Sequence, residues 1–129
     1  LAAARALPLD YERDLQELHF GDWEGRSAAE LMHSDAEALG QFWADPYAFT
    51  PPNGEPLSRF EARVLGSLQR LAQAHDGERL LLVTHGGVMR LLLARARGLP
   101  RKDLLQVNVG YAERFRLRLD ADGQWLELP

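Results

Sequence analysis

The order of helical and strand patterns along this sequence predicts a layered α/β domain. Segments with helical periodicity alternate with short apolar runs. One of these runs, Arg79–Thr84, has no polar alternation, which indicates a strand buried on both faces. Such strands occupy parallel positions in a sheet that helices cover on either side. We therefore expect an α/β fold with a buried, mainly parallel sheet.

Two short helices and a loop are predicted for the first part of the chain. Ser27–Met32 begins with the Ser and Glu spacing of a capping box, and Asp35–Ala44 groups its apolar side chains on one face. Residues 45–56 contain four prolines, which are incompatible with regular structure. This stretch is expected to be a loop.

Two longer helices are predicted after the loop. Leu57–His75 carries apolar residues at intervals of three and four, so one stripe of this helix should be buried. Val88–Arg97 forms the second helix, with Gly98 as the residue just past its end and Pro100 preventing its continuation. These helices should cover the predicted sheet.

Short segments near both ends complete the expected elements. Leu105–Val109, Arg114–Leu119 and Gln124–Leu128 are candidate strands, and a turn at residues 120–123 joins the last two. Residues Leu1–Leu7 have the composition of the end of a helix.

The composition is typical of one globular domain. The 129 residues are 46% hydrophobic, and no apolar run approaches the ~20 residues of a membrane helix. The absence of Cys excludes disulfides, thiolate zinc sites and a Cys nucleophile. We expect a soluble, cytoplasmic protein.

The charges are distributed unevenly. Residues 10–24 carry a net charge of −5, whereas residues 90–118 carry +6. A basic stretch can attract phosphate ligands or nucleic acid, but the alternation of Arg114, Arg116 and Arg118 favours the solvated face of a strand. No nucleic-acid-binding motif is present, so no nucleic-acid partner is expected.

The run Leu80–Arg90 leads an apolar strand into His85, two glycines and a helix. The first N–H groups of a helix are unpaired and lie at the positive end of its dipole, so an anion is favoured there. His85 would lie beside this anion, and Gly86 would let the backbone approach it closely. A histidine in such a turn also often serves only to bind a neighbouring carbonyl group.

A second motif, Leu15–Gly25, places a carboxylate, Glu17, in a compact aromatic and glycine-containing setting. Glu17 could be a surface acid of the acidic stretch. A carboxylic acid can also protonate a leaving group if its environment raises its pKa. The presence of two such motifs in one short chain favours a shared site.

Together, Leu15–Gly25, the loop ending in Gly54-Glu55, Arg63-Val64 and Val83–Arg90 resemble the histidine phosphatase superfamily, with the phosphoglycerate mutase-like fold. The resemblance covers nearly the whole chain and implies a three-layer α/β/α sandwich with a mostly parallel sheet. Residues 42–55 are most similar to the α-ribazole phosphatase branch.

The resemblance implies phosphoryl transfer through a phosphohistidine that water hydrolyses, without a metal or cofactor. Glu17 would be the general acid, and His85 would donate a hydrogen bond to the phosphoryl oxygens. Gly86, Gly54 and Glu55 would bind the phosphate or the rest of the substrate. The implied partner is a small phosphomonoester and no membrane; a homodimer stays open.

The sequence departs from the family pattern in four places. A later segment with Ser and a phosphate-binding Arg is absent, and Pro56 stands where relatives often carry Ser. The initial strand bearing Arg-His-Gly, whose histidine is the nucleophile, is absent, and His19, His33 and His75 do not match it. We therefore expect residues 1–129 to be the C-terminal portion of a single histidine phosphatase domain that lacks its N-terminal strand. Asn53 also stands where relatives carry glycine.

Three functions remain open at this point. A hydrolase acting on α-ribazole 5′-phosphate is favoured. A phosphoglycerate mutase, or a broad phosphatase of sugar or glycerate phosphates, would use the same pocket. A non-catalytic phosphate-binding module would fit the missing nucleophile.

Overall fold

The computed structural model describes residues 7–129, in which four α-helices and one small antiparallel sheet form. Three short 3-10 turns lie at Arg13–Leu15, Gly21–Trp23 and Arg101–Gln106. The helices and strands are α1 (Ala28–Ser34), α2 (Ala36–Ala44), α3 (Leu57–Ala74), α4 (Gly86–Ala96), β1 (Arg116–Leu119) and β2 (Trp125–Leu128). The helix end expected at residues 1–7 lies, apart from Leu7, outside the described residues.

The capping signal at Ser27 starts α1. The Ser27 side-chain oxygen accepts the N–H of Glu30 at 3.1 Å, and its hydroxyl donates to the Glu30 carboxylate at 3.2 Å. The first contact satisfies a backbone N–H at the helix N-terminus that would otherwise lack a partner, and the second joins the two side chains of the capping pair. The prediction of two short helices before the loop is confirmed by α1 and α2.

Helix α3 buries the apolar stripe that the sequence predicts. Leu57, Phe60 and Val64 are each at most 2% exposed. Because these residues recur at three and four positions, they lie on one face and pack into the core. The opposite face of α3 stays in contact with solvent.

Helix α4 begins at Gly86, two residues before the predicted start at Val88, and ends at Ala96, one residue before the predicted end at Arg97. Gly98 adopts a left-handed conformation with φ of +67°, and the N–H of Leu99 donates to the carbonyl of Ala94 at 2.9 Å. This contact satisfies a carbonyl that the helix leaves unpaired.

A buried carboxylate joins α3 to α4 and to the 3-10 turn that follows it. Glu61 is 6% exposed, and its two oxygens accept from Arg95 at 2.9 Å and from Arg101 at 2.8 Å. The Arg101 guanidinium also lies 4.6 Å from the ring centre of Tyr47 in the proline-rich loop. Burial, reinforced by the negative charge of Glu61, raises the pKa of Tyr47 to about 12. The network ties that loop to both helices.

The C-terminal hairpin confirms two of the three predicted strands. β1 and β2 fall within Arg114–Leu119 and Gln124–Leu128 and pair in antiparallel register. The turn is closed by a hydrogen bond from the Asp120 N–H to the Gln124 carbonyl at 3.0 Å.

The strand predicted at Leu105–Val109 is wrong. Pro100, with φ of −59°, leads into the 3-10 turn at Arg101–Gln106, and the N–H of Asp103 donates to the Pro100 carbonyl at 3.0 Å. The buried residues Leu104 and Val107 are three positions apart. That interval matches a 3-10 turn and not the two-residue alternation of a strand.

The prediction of a buried strand at Arg79–Thr84 is also wrong for the described residues. This segment is in no sheet, and it makes no backbone hydrogen bond to any other part of residues 7–129. Leu81 is 67% exposed and Val83 is 89% exposed. A strand is buried only when neighbouring strands and helices cover it, and the described residues supply no neighbouring strand. The three-layer sandwich and its parallel sheet therefore stay predictions.

The core lies between the helices and the loops before α1 and α3. Trp23 packs edge-on against Phe42 and stacks on Phe49, with ring centres 5.7 and 5.8 Å apart. None of the helices in residues 7–129 has the length and apolar character needed to span a membrane.

Two loops, residues 19–25 and residues 51–55, are joined through their backbones. The N–H of Asp22 donates to the Pro52 carbonyl at 2.9 Å, and the N–H of Glu55 donates to the His19 carbonyl at 2.8 Å. Gly21 has φ of +60°, and a Cβ there would overlap the Pro52 carbonyl oxygen. The close approach of the loops therefore requires glycine at this position.

We predict that Gly21→Ala destabilises the protein far more than Gly25→Ala. Both glycines have positive φ, but an added Cβ at Gly25 meets no atom within 4 Å. The backbone strain common to both should cost about 1 kcal/mol, and the overlap at Gly21 should bring its total to roughly 2–5 kcal/mol. Urea unfolding of the two variants measures the difference. Equal losses would show that the loops do not need this close approach.

Candidate active site

His85 lies at the start of α4. Its backbone is extended, with φ of −108° and ψ of 162°, and its carbonyl accepts the N–H of Met89 at 3.0 Å. The imidazole is not used as a helix cap, and the residue is exposed. The ring is thus accessible at the positive end of the helix dipole, where an anion is favoured.

Glu17 reaches the same helix end from 70 positions earlier in the chain. Its Oε2 accepts the N–H of Gly87 at 3.0 Å, and its Oε1 accepts the N–H of Leu18 at 2.9 Å. The structure therefore brings the Glu17 carboxyl group to the first turn of α4, two residues from His85. A carboxylate gains from both the free N–H group and the dipole at this position.

The two glycines after His85 have different neighbours. A Cβ on Gly87 would overlap Oε1 of Glu17, so the missing side chain makes room for the carboxylate. A Cβ on Gly86 would lie 3.2 Å from the guanidinium of Arg90. The side chain of Arg90 is fixed by donation from its Nε to the Val107 carbonyl at 3.1 Å. A cation therefore lies beside Gly86.

Arg63 in α3 holds the backbone that leads to Glu17. Its Nη1 donates to the carbonyls of Asp14 at 2.7 Å and of Gln16 at 2.9 Å, and its Nη2 donates to the carbonyl of Glu17 at 3.0 Å. The remaining carbonyl of this turn, that of Leu15, accepts the hydroxyl of Thr84 at 2.8 Å. Each backbone carbonyl of residues 14–17 therefore accepts a hydrogen bond.

Gly54 and Glu55 lie beside this assembly and have partners within the chain. The N–H of Gly54 donates to the Pro51 carbonyl at 2.8 Å. Both oxygens of Glu55 accept from Arg63, at 2.7 and 3.0 Å. Asn53 adopts the left-handed conformation, with φ of 59°, that suits the glycine of relatives, and its side chain donates to the carboxylate of Asp22. These contacts shape the loop.

A cleft of about 590 Å³ opens along this loop. Its lining includes Glu17, Gly54 and Glu55, together with the cations Arg13 and Arg59. His85 and Gly86 are not part of this lining. Their neighbours Thr84 and Gly87 connect them to the segment that carries Glu17. The binding roles expected for Gly54, Glu55 and Gly86 stay predictions, as do the roles of Glu17 and His85.

Sequence reasoning missed the contacts of Arg63, although this residue was part of the resemblance. The one available signal is the interval of eight residues between Glu55 and Arg63, which spans the start of α3. Within residues 7–129, no group of three or more His, Asp or Glu side chains is arranged to hold a metal ion.

Comparison with known proteins supports the resemblance. The family model described as "Histidine phosphatase superfamily (branch 1)" matches residues 1–129. The adenosylcobalamin/alpha-ribazole phosphatase of Salmonella typhimurium is 37% identical over 105 residues, which are 81% of this chain and 52% of that protein. Phosphoglycerate mutase-like protein 4 of Arabidopsis thaliana is 40% identical over 92 residues, or 70% of this chain and 40% of that protein.

Solved structures show the same fold. Bacillus stearothermophilus YhfR matches with a TM-score of 0.85 and 30% identity, over 98% of this chain and 62% of that one. The alpha-ribazole phosphatase from Shigella flexneri matches with a TM-score of 0.78 and 30% identity over the same shares. The chain spans about half the length of the curated alpha-ribazole phosphatases that it matches.

We predict that Glu55 titrates below its usual range and that this depends on Arg63. Burial alone would raise the pKa of Glu55, but hydrogen bonds from Arg63 and from the His19 N–H, with the Arg63 charge, hold the pKa below its usual range. Because the pKa is lower in the folded state than in the unfolded state, the contribution to stability is complete above pH 4.5 and is lost as the pH falls through the folded value.

Carbon-detected NMR titration of the Glu55 carboxyl group measures this pKa directly. Arg63→Met should return the pKa towards its ordinary value and flatten the loss of unfolding free energy in acid. An unchanged Glu55 titration in Arg63→Met would contradict the assignment.

Proposed function

The chain belongs to the histidine phosphatase superfamily (branch 1), and from this membership we propose that it hydrolyses α-ribazole 5′-phosphate in cobalamin biosynthesis. Relatives named as adenosylcobalamin/alpha-ribazole phosphatases support this choice of substrate, as does the Shigella flexneri structure. The chain spans only about half the length of those relatives. The hydrolase activity is therefore proposed for the protein as its gene encodes it.

The observation that carries the proposal is the contact between Glu17 and the first turn of α4. It brings an ionisable carboxyl group to a helix N-terminus, in the turn that directly follows the exposed residue His85. Phosphomonoester hydrolysis needs these three elements: a proton donor for the leaving alcohol, a hydrogen-bond donor for the phosphoryl oxygens and a favourable field for negative charge.

In the first step, a histidine nitrogen attacks phosphorus while the P–O bond to the alcohol breaks. Glu17 gives its proton to the departing oxygen, so that an alcohol leaves instead of an alkoxide. His85 donates a hydrogen bond to the phosphoryl oxygens as charge accumulates on them. A phosphohistidine and the free alcohol result.

In the second step, water attacks the phosphohistidine. Glu17, now ionised, accepts a proton from the water as the P–N bond breaks, and inorganic phosphate is released. The acid is thereby regenerated with its proton. No metal or cofactor takes part in this sequence of steps.

The nucleophile of this reaction is proposed to lie outside the 129 residues, which contain no Arg-His-Gly sequence. The apolar segment Leu80–Val83 is exposed and without backbone partners in the described residues. We propose that it becomes the buried strand of a parallel sheet in a three-layer sandwich when it pairs with polypeptide beyond these residues. That polypeptide would carry the nucleophilic histidine, and residues 1–129 would be the C-terminal portion of the domain.

Two other functions retain specific support. The similarity to phosphoglycerate mutase-like protein 4 favours a mutase or a phosphatase of broader substrate range. The absence of an Arg-His-Gly sequence from the 129 residues favours a phosphate-binding module without catalysis. Phosphate release from a panel of esters separates the hydrolases, assays with and without 2,3-bisphosphoglycerate detect a mutase, and a binding module releases no phosphate.

We predict that Glu17→Gln impairs hydrolysis of α-ribazole 5′-phosphate far more than that of p-nitrophenyl phosphate. The alkyl ester needs protonation of its leaving oxygen, so the loss in kcat should be roughly 100- to 10,000-fold, the usual worth of general acid catalysis. Nitrophenolate leaves without a proton, so its rate should fall much less. The assay uses the protein as its gene encodes it, in excess EDTA.

His85→Ala is the companion variant in this assay and should slow both esters alike, because hydrogen bonding to the phosphoryl group does not depend on the leaving group. Equal losses on both esters in Glu17→Gln would remove Glu17 from the acid role. Complete inactivation of the wild type by EDTA would contradict the metal-independent route.

We predict that the amides of residues 80–83 are protected from hydrogen exchange in the protein as its gene encodes it. Pairing into a sheet would slow their exchange, whereas residues 7–129 alone leave them open to solvent. Mass-spectrometric exchange on peptides that cover this segment makes the measurement. The exposed turn at residues 111–112, whose amides donate no hydrogen bond within the described residues, is the fast-exchanging reference. Equally fast exchange at both places would contradict the proposed sheet.

A further inference from the structure

The guanidinium of Arg63 has all of its hydrogen-bonding capacity in use. An arginine side chain carries five N–H groups in a fixed plane. Here Nε and Nη2 donate to the two oxygens of Glu55, Nη1 donates to the carbonyls of Asp14 and Gln16, and Nη2 also donates to the carbonyl of Glu17. Every N–H is thus satisfied, and the side chain is only 23% exposed.

These contacts fix a segment that has little regular structure of its own. The turn at Arg13–Leu15 is only three residues long, and Glu17 follows it in an irregular connection. Leu15 packs into the core, and the backbone carbonyls of residues 14–17 are bound by Arg63 and Thr84. The position of the Glu17 backbone therefore depends on the plane of the Arg63 guanidinium.

We propose that Arg63 is a positioning residue for Glu17, and that Glu55 acts through Arg63 by orienting its guanidinium. This proposal rests on the acid role of Glu17 given above. Arg63 lines the cleft, but in this role it acts through Glu17, because all of its N–H groups are already used within the chain. It sets the place from which the Glu17 carboxyl group reaches α4, and the paired carboxylate of Glu55 keeps the fork of N–H groups facing the three carbonyls.

Lysine cannot take the place of Arg63 in this arrangement. Its ammonium group has three donors and no plane, so it cannot hold three carbonyls and pair with both oxygens of a carboxylate. The charge would remain in Arg63→Lys while the geometry is lost. A displacement of a catalytic group by about 1 Å is enough to cost on the order of 100-fold in rate.

Arg70 offers a matched control on the same helix. It also contacts the turn before Glu17, but through the side chain of Asp14 at 2.9 Å and not through the backbone. Its side chain is 61% exposed, and an exposed ion pair of this kind contributes little. Arg70→Met should leave both activities unchanged.

The test measures kcat and KM of Arg63→Lys on α-ribazole 5′-phosphate and p-nitrophenyl phosphate, in the wild-type and Glu17→Gln backgrounds. We expect kcat on the alkyl ester to fall about 10- to 100-fold with KM little changed, and kcat on the nitrophenyl ester to fall far less. In the Glu17→Gln background the added loss should disappear, because the group being positioned is already gone.

A second variant and a spectroscopic readout keep the test decisive if Arg63→Lys folds poorly. Glu55→Gln keeps the shape of the side chain and removes its charge, and it should give a smaller loss with the same dependence on the leaving group. The amide resonance of Gly87 reports the hydrogen bond that this N–H donates to Glu17. It should shift in Arg63→Lys and in Glu55→Gln but not in Arg70→Met.

Equal losses on both esters, or full additivity with Glu17→Gln, would overturn the positioning role and leave the proposed function standing. A Glu17→Gln variant without dependence on the leaving group would overturn the proposed function, and with it this inference.

Discussion

The hydrogen bond between the Glu17 carboxylate and the Gly87 N–H is the contact on which the candidate site depends. It joins two segments 70 positions apart in the sequence. A helix N-terminus attracts any anion, so the interaction is favourable wherever a carboxylate can reach it. What makes this pairing specific is access: Gly87 has no side chain in the way, and the backbone before Glu17 is bound at each carbonyl. The contacts that fold this region are therefore the same contacts that build the candidate site.

Most of the segments around the candidate site are loops and not helices or strands. Polar contacts hold these loops in place. The segments around Gly21 and Gly54 hold each other through backbone hydrogen bonds, and Arg63 extends this support to Glu17. The Glu61 network does the same for the proline-rich loop on the other side of α3. Partly buried charges of this kind contribute less to net stability than to a unique geometry, since their desolvation offsets much of their attraction. A unique geometry is what the proposed acid role of Glu17 would require.

Features that depend on a few neighbouring residues could be predicted from the sequence. The capping box at Ser27, the stripe of α3, the Gly98 terminus of α4 and the C-terminal hairpin are of this kind. The strand at Arg79–Thr84 could not, because burial of a strand is a property of its neighbours. The contacts of Arg63 could not be predicted for a related reason. Its partners are mainly carbonyl groups, which every residue carries and no sequence pattern displays.

The exposed segment Leu80–Val83 also bears on how such a chain avoids self-association. Four consecutive apolar residues without proline, whose backbone groups have no partner within residues 7–129, form a template on which another copy can pair edge to edge, as in the growth of cross-β fibrils. Whatever strand covers this edge within the same polypeptide competes with that reaction at a high local concentration. Intramolecular sheet closure would then protect the protein from aggregation during synthesis, in addition to any part it has in catalysis.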